Sequence, residues 1–384
     1  MAKGRIFLIF HGRFPGEKAA SVFTAKSAEA FADAGLEVTV LAPRRIGRAK
    51  ETPEEYFGVK GTFRVVYISV LDLFPIRFFK NIAFTVSYLL FSAGVWVYLI
   101  SRASRDANIY SNEALPLLFA SLFFKQTFYE VHDFPRSSVM HRMLVSRVRG
   151  IIATNRWKRD ELVRRFRVAR EKILYEPNAV DAFRFGSAVG NAVRQKLPLP
   201  TGTVVVGYAG TLKTMDMEKG IQTLLEAMAA LPPRFRCLII GGLRQDIESY
   251  REESKKLGIS DRVVFAGWMH YDSVPEHLAA CDVLVAPFPK TPHYDLYMSP
   301  MKLFEYMAVG KPIVASRLKS IEEILDDSNA FLVSPDDSKA LAEGIMAAVS
   351  DSSAQARAQR AREAVQSHSW HKRAERILGF LGTY

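Results

Sequence analysis

Cysteine is nearly absent from this 384-residue chain: Cys237 lies inside an apolar, strand-like run and Cys281 closes a helix-like run. Neither sits in a metal-ligand or redox spacing, so both are expected as buried small hydrophobes in a reducing compartment. No Asp-x-Asp cluster and no His/Cys ligand spacing appears, and the sequence asks for no metal. No cationic segment leading into a short apolar core and a small-residue cleavage site is present. Met1–Lys3 run straight into the strand-like Arg5–Phe10, and export is not expected. Charge is missing from one long stretch, Ile82–Ile100, which is long enough on paper to span a bilayer. That run contains Thr85, Ser87, Tyr88, Ser92 and Gly94, and strand and helix patterns of the same domain follow it at once. A buried or partly interfacial helix is the expectation. Before it, Leu73–Lys80 mixes aromatics with cations as at a bilayer surface, a pattern that fits shallow insertion or plain core packing.

What is present in excess is positive charge, +12 overall, and it is one-sided. Residues 1–190 carry 29 Lys and Arg against 17 Asp and Glu, whereas residues 191–384 carry 23 of each. The whole excess belongs to the first half. A polyanion suits such a surface, whether nucleic acid, an anionic bilayer or a phosphorylated acceptor, and composition alone does not choose. No nucleic-acid module or aromatic-basic motif accompanies the charge.

The length favours two domains over one. Apolar strand (5–10), Gly-rich loop (11–17), helix (18–34) and strand (36–41) give a β-α-β opening. A charged loop around 43–60, a strand at 63–70 and a long apolar helix near 77–102 follow. Strands at 107–110, 126–131, 150–153 and 173–176 then alternate with helical stretches. Small residues and prolines in Ser187–Gly202 mark an interdomain linker within that stretch or just before it. A second alternating series begins at Val204, with strands near 236–240, 263–266, 283–287, 312–315 and 331–333. The expected fold is therefore α/β with two Rossmann-like, doubly wound domains facing a cleft: residues 1–186 with a crossover helix at 369–384, and residues 187–368.

The richest chemical signal is Ser299–Ser316. Ser299 is a good N-cap and Pro300 suits the first helical position, so the helix start near Met301 would present free N–H groups to a phosphate. Lys302 puts a cation where the helix dipole disfavours one, which hints at a nearby anion. Glu305, a turn further on, is either a carboxylate that accepts two ribose hydroxyls or a solvated helix-face charge. The loop Gly207–Gly220 carries Gly210, which permits close backbone approach, together with Lys213 and Lys219. Those lysines either neutralise a diphosphate or are surface charges.

Taken together these segments resemble glycosyltransferase family 4, the retaining GT-B enzymes, along nearly the whole chain. The string Phe304-Glu305-Tyr306-Met307-Ala308-x-Gly310-Lys311-Pro312 carries the likeness most specifically, supported by Glu176–Asp181, Phe265-Ala266-Gly267, Ala280–Pro287 and His368-Ser369-Trp370. The resemblance implies a nucleoside diphosphate sugar, UDP- or GDP-linked, as donor. It makes Glu305 the ribose carboxylate, gives the distal phosphate to the backbone around Met301 and Lys302, and makes Lys219 the leaving-group lysine. Trp268 would border the base, Gly12 to Gly16 would lie beneath the diphosphate, and His132 and Asp133 would stand beside the transferred sugar. Two positions depart from the family pattern: Tyr297 stands where a second carboxylate is wanted, Asp295 being the nearest acid, and Thr211 stands where an arginine is.

The implied activity is hexosyl transfer with retention to a glycan or lipid-linked hydroxyl, in cell-envelope or surface polysaccharide assembly. The expected location is cytoplasmic, peripheral at the anionic inner face of the membrane. A sugar-nucleotide epimerase of the same architecture, or a non-catalytic descendant that binds nucleotide sugar, are the competing readings.

Overall fold

The run Arg5–Ile9 buries four of its five residues, as a strand covered on both faces must, and forms β1. It belongs to a computed structural model that describes residues 4–46, 50–71, 80–135, 138–197, 199–214 and 217–382, with backbone alone at 80–83. The chain divides into two compact units, residues 1–177 with 370–384 and residues 178–369. The segment Leu73–Phe79, expected at a bilayer surface, lies outside the described residues.

In the first unit β1 is followed by α1 (Ala19–Asp33), β2 (Glu37–Arg44), α2 (Pro53–Phe57) and β3 (Arg64–Ser69). Then come α3 (Lys80–Arg102), β4 (Asn108–Ser111), α4 (Ala114–Ala120), β5 (Thr127–Val131), α5 (Val139–Arg147), β6 (Gly150–Ala153), α6 (Arg156–Phe166) and β7 (Ile173–Tyr175). All pairings are parallel, in the order β3-β2-β1-β4-β5-β6-β7. The order reverses between β1 and β4. Right-handed crossovers therefore put α1 and α2 on one face of the sheet and α3 to α6 on the other. Phe91, Val95 and Leu99 of α3 are fully buried in one core with Ile109, Leu117 and Leu144. Each such side chain contributes roughly 1.5–3 kcal/mol by leaving water. Helix α2, inside the stretch read as a charged loop, is set by a capping box between Thr52 and Glu55.

The second unit holds α7 (Ala182–Gly186), α8 (Asn191–Lys196), β8 (Val204–Ala209), a hairpin of β9 (Lys213–Thr214) and β10 (Met217–Glu218), and α9 (Ile221–Ala230). It continues with β11 (Phe235–Ile240), α10 (Arg244–Lys256), β12 (Val263–Gly267), α11 (Val274–Ala279), β13 (Val283–Ala286), a π-helical turn at His293–Tyr297 and α12 (Met301–Val309). The remaining elements are β14 (Ile313–Ser316), α13 (Lys319–Glu322), β15 (Phe331–Val333), α14 (Ser338–Ser350) and α15 (Ala354–Ala364). Its main sheet is also parallel, in the order β12-β11-β8-β13-β14-β15.

One boundary differs from expectation. Residues 187–202 are not the passage between units, which falls at Pro177/Asn178. They are pinned to the second unit by Arg194, whose guanidinium binds Asp282 at 3.0 Å and the carbonyls of Ala280 and Thr203 at 3.0 and 2.7 Å. Small residues and prolines read as a linker; one half-buried arginine network makes them structure. The chain re-enters the first unit at Trp370, where α16 (Trp370–Leu381) places Arg373 on Glu130 and Arg376 on Glu176, the latter through two bonds of 2.7 Å.

Candidate functional site

Open parallel sheets bind ligands beyond the carboxyl ends of their strands, where the strand order reverses. In the second unit that point lies between β8 and β13. The chain leaves β8 through Gly210, whose N–H donates to Ile240 O at 2.9 Å, and leaves β11 through Gly241, whose N–H donates to Gly267 O at 2.8 Å. A Cβ on Gly241, which has φ +96°, would stand 2.6 Å from Gly210 O, so only glycine lets these backbones meet.

Helix α12 points its first turn at this loop. Lys302 is buried; its ammonium lies 3.7 Å from the centre of the Tyr208 ring and would be 3.2 Å from a Cβ on Gly210. Burial holds its pKa well below the usual lysine range, and the Lys219 charge adds to this, against an opposing pull from Glu305. Lys219 donates to Thr211 Oγ1 at 2.7 Å, and burial lowers its pKa to about 8. The threonine that replaces the family's arginine is thus the lysine's anchor. Glu305 is buried, its Oε1 accepting from Tyr271 Oη at 2.9 Å. Burial raises its pKa to about 7 against the Tyr271 hydrogen bond and the Lys302 charge, both of which lower it. Two desolvated lysines and one desolvated carboxylate therefore share one neighbourhood, a combination of groups that a diphosphate next to a diol satisfies.

The residues read from sequence are placed as follows. Gly210, Lys219, Lys302 and Glu305 come together, and Met301 begins α12. Ser299 is not the N-cap: Pro300 is, with no side-chain cap bond, because Ser299 Oγ accepts the Asn178 N–H at 3.2 Å and Ser299 O accepts the Asn178 amide. The first turn is left without a side-chain cap. Lys213 sits on β9, where it pairs with Glu218 of β10. Trp268, 45% exposed, follows β12 and meets His270 edge-on. Asp295 does not replace the absent second carboxylate, since its Oδ1 accepts the Lys319 N–H at 2.9 Å.

In the first unit Glu113 joins the expected residues. Its carboxylate accepts the His11 N–H at 3.0 Å, next to Gly12. Burial raises its pKa, and His132 and Asp133 both act on it electrostatically. His132 Nε2 lies 3.2 Å from Glu130 Oε1, and its ring meets Phe23 edge-on. Gly12 packs under the Phe10 ring, and Gly16 packs on Arg13 O. His11 receives Arg45 at 3.0 Å, and burial first, then that guanidinium, lower its pKa to about 4. Sequence reading missed Tyr208, Tyr271, Gly241, Glu113 and His11. The double glycine after β11 was the one visible signal among them.

Residues 203–351 match the family model described as Glycosyl transferases group 1. Among curated relatives, a D-inositol 3-phosphate glycosyltransferase of Xylanimonas cellulosilytica is 27% identical over 60% of this chain and 55% of its own length. A lipopolysaccharide core biosynthesis glycosyltransferase of Rhizobium meliloti is 32% identical over 43% of this chain and 45% of its own. The chain spans about half the length of the curated relatives it matches. Among solved structures, sucrose-phosphate synthase from Thermosynechococcus elongatus superposes with TM-score 0.79 over 99% of both chains at 20% identity. Anabaena HepE in complex with UDP-glucose superposes with TM-score 0.74 over 99% of this chain and 100% of that one, at 20% identity. The fold is GT-B. The matched stretch lies within the second unit and is similar to the group 1 glycosyltransferases.

Proposed function

We propose that this protein is a retaining glycosyltransferase that moves a hexosyl group from a UDP- or GDP-linked sugar to a hydroxyl of a glycan or lipid-linked acceptor. The observation that carries the reading is the gathering of Lys219, Lys302 and Glu305 around the Gly210 loop. In this reading the diphosphate lies on the uncapped start of α12 between the two lysines, and Glu305 takes the ribose hydroxyls. Trp268 borders the base. His132 and Asp133 serve the transferred sugar, with Gly12 and Gly16 giving the backbone room. The UDP and UDP-glucose complexes of the Anabaena neighbour support such a donor.

Lys219, whose pKa is about 8, is cationic at neutral pH and meets the charge that grows on the leaving diphosphate. The bond from the anomeric carbon to the diphosphate oxygen breaks as the acceptor oxygen attacks from the same face. The acceptor proton passes to the departing phosphate oxygen, and configuration is retained.

Relatives named for lipopolysaccharide core and teichuronic acid biosynthesis support an acceptor of the cell envelope, with the protein held peripherally at an anionic membrane. Tyr297, with Asp295 committed to Lys319, favours a second reading, a binder of nucleotide sugars that does not turn them over. Incubation with labelled UDP- and GDP-hexoses decides between them. Transfer or donor hydrolysis with the anomeric configuration kept supports the proposal. An inverted or epimerised product, or binding without turnover, overturns it.

A further inference from the structure

Helix α3 wears its polarity inside out. Its buried face carries Ser87 and Ser92 beside Phe91, Val95 and Leu99, while its outward face carries Leu89, Leu90, Val97 and Ile100, all substantially exposed and Val97 60% so. Over Phe84–Arg102 the mean hydropathy is 1.6, enough by length and composition to cross a membrane, yet only 28% of that window is buried. A helix that packs one face on a sheet ordinarily turns polar residues to water. The turn after α4 continues the surface: Phe123, 51% exposed, meets the Trp96 ring at 5.5 Å and stands beside exposed Leu122.

Charge around this surface is predominantly positive. Helices α3, α4 and α5 contain no acid at all. Arg102 and Arg105 precede β4, Lys125 precedes β5, and Arg147 and Arg149 precede β6; all five are exposed. The parallel register, with Ile109 opposite Thr127 and Phe128 opposite Gly150, places these connections side by side at the amino edge of the sheet. Asp106 is the one acid in them. Because α3 runs antiparallel to its strands, its other end reaches the ligand edge, where Phe84 meets the His11 ring at 5.5 Å.

We infer that the outward face of α3 and the Leu122–Phe123 turn form a docking surface for an anionic lipid bilayer. The aliphatic stripe enters the headgroup–acyl boundary, and the basic row lies among lipid phosphates. This deepens the membrane attachment in the proposed function by naming its surface, and it rests on residues other than Leu73–Lys80. A second copy of the chain is disfavoured as occupant, because facing two such surfaces would oppose two rows of like charge.

The test is co-sedimentation of the full chain with vesicles of phosphatidylcholine, and of phosphatidylcholine mixed with an equal share of phosphatidylglycerol. The expected result is binding to the mixed vesicles, little to the neutral ones, and partial release by salt. Leu89→Ser with Val97→Ser and Ile100→Ser lowers the bound fraction on the order of tenfold, and Arg102→Glu with Lys125→Glu does the same. Thermal melting and UDP affinity stay unchanged in both, which shows the folds intact. A wild type that ignores the mixed vesicles overturns membrane attachment and this surface together. A wild type that binds while both variants bind equally overturns the surface alone, and loss only on Phe78→Ser with Phe79→Ser moves it to the preceding segment. A self-association that the triple serine variant abolishes, without vesicle binding, assigns the face to a second copy and overturns the inference. None of these outcomes depends on sugar transfer.

Discussion

The ammonium of Lys302 rests between the rings of Tyr208 and Phe288, 3.7 and 4.9 Å from their centres, and makes no hydrogen bond among the described residues. Burial, then the nearby Lys219, holds it well below the ordinary lysine pKa. A bound diphosphate reverses that balance, so Lys302 takes up a proton when the site fills. Calorimetric titration of UDP at about pH 7.5, in buffers of different ionisation heat, measures this uptake directly. The wild type draws protons from the buffer. Lys302→Met removes most of that uptake and costs about 2 kcal/mol of affinity. Equal heats in all buffers for the wild type contradict the assignment.

Lys219 acts later. The charge it meets grows as the sugar leaves, so Lys219→Ala lowers kcat by about a hundredfold while changing donor affinity much less. In the wild type, kcat/KM falls as pH rises through about 8, where the free enzyme's Lys219 loses its proton, and the variant lacks that limb. Loss of affinity equal to the loss of rate removes the leaving-group role.

Gly220 has φ +84°, and a Cβ there would stand 1.6 Å from Pro287 O. Gly220→Ala forces the loop that carries Lys219 away from the end of β13. A loss of about 2–4 kcal/mol in denaturant unfolding is expected. A melting curve like that of the wild type contradicts this packing.

Glu130 and Arg373 pair in the core of the first unit, with Arg373 also donating to Pro177 O at 2.9 Å. Burial alone raises the Glu130 pKa, but Arg373 and then His132 outweigh it and lower it to about 2. Its folded pKa is therefore below its unfolded one. The stability it contributes is complete above the ordinary carboxylate pKa and is lost as pH falls through about 2. Arg373→Met leaves the carboxylate buried and unpaired, costs about 3–5 kcal/mol at neutral pH, and flattens that acid limb. Unfolding curves at neutral and acid pH check both parts.

The sheets were legible because parallel strands buried on both faces read as unbroken apolar runs, and Val204–Ala209 and Val283–Ala286 are such runs. Glu305 and Lys302 were legible as local exceptions, charges within an apolar helix. The unit boundary was not, because Arg194 holds residues 187–202 through partners as distant as Asp282. Ser299 misled for a similar reason: its hydroxyl is taken by Asn178, 121 positions away, rather than by its own helix. Tyr271 and Glu113 gain their places only through tertiary partners, Glu305 and His11, and no spacing announces such pairs. The outward aliphatic stripe of α3 was hidden in an evenly apolar run, since periodicity cannot tell which side of such a helix meets the core.

The central claim, that the second unit holds a nucleotide through Glu305, is tested most directly by calorimetric titration of UDP and GDP into wild type and Glu305→Ala. The account predicts that one nucleotide binds the wild type and that the variant, with an unchanged melting curve, loses at least about tenfold in affinity with the two ribose hydroxyls unaccepted. Equal affinity in a folded variant, or no binding of either nucleotide to the wild type, contradicts it.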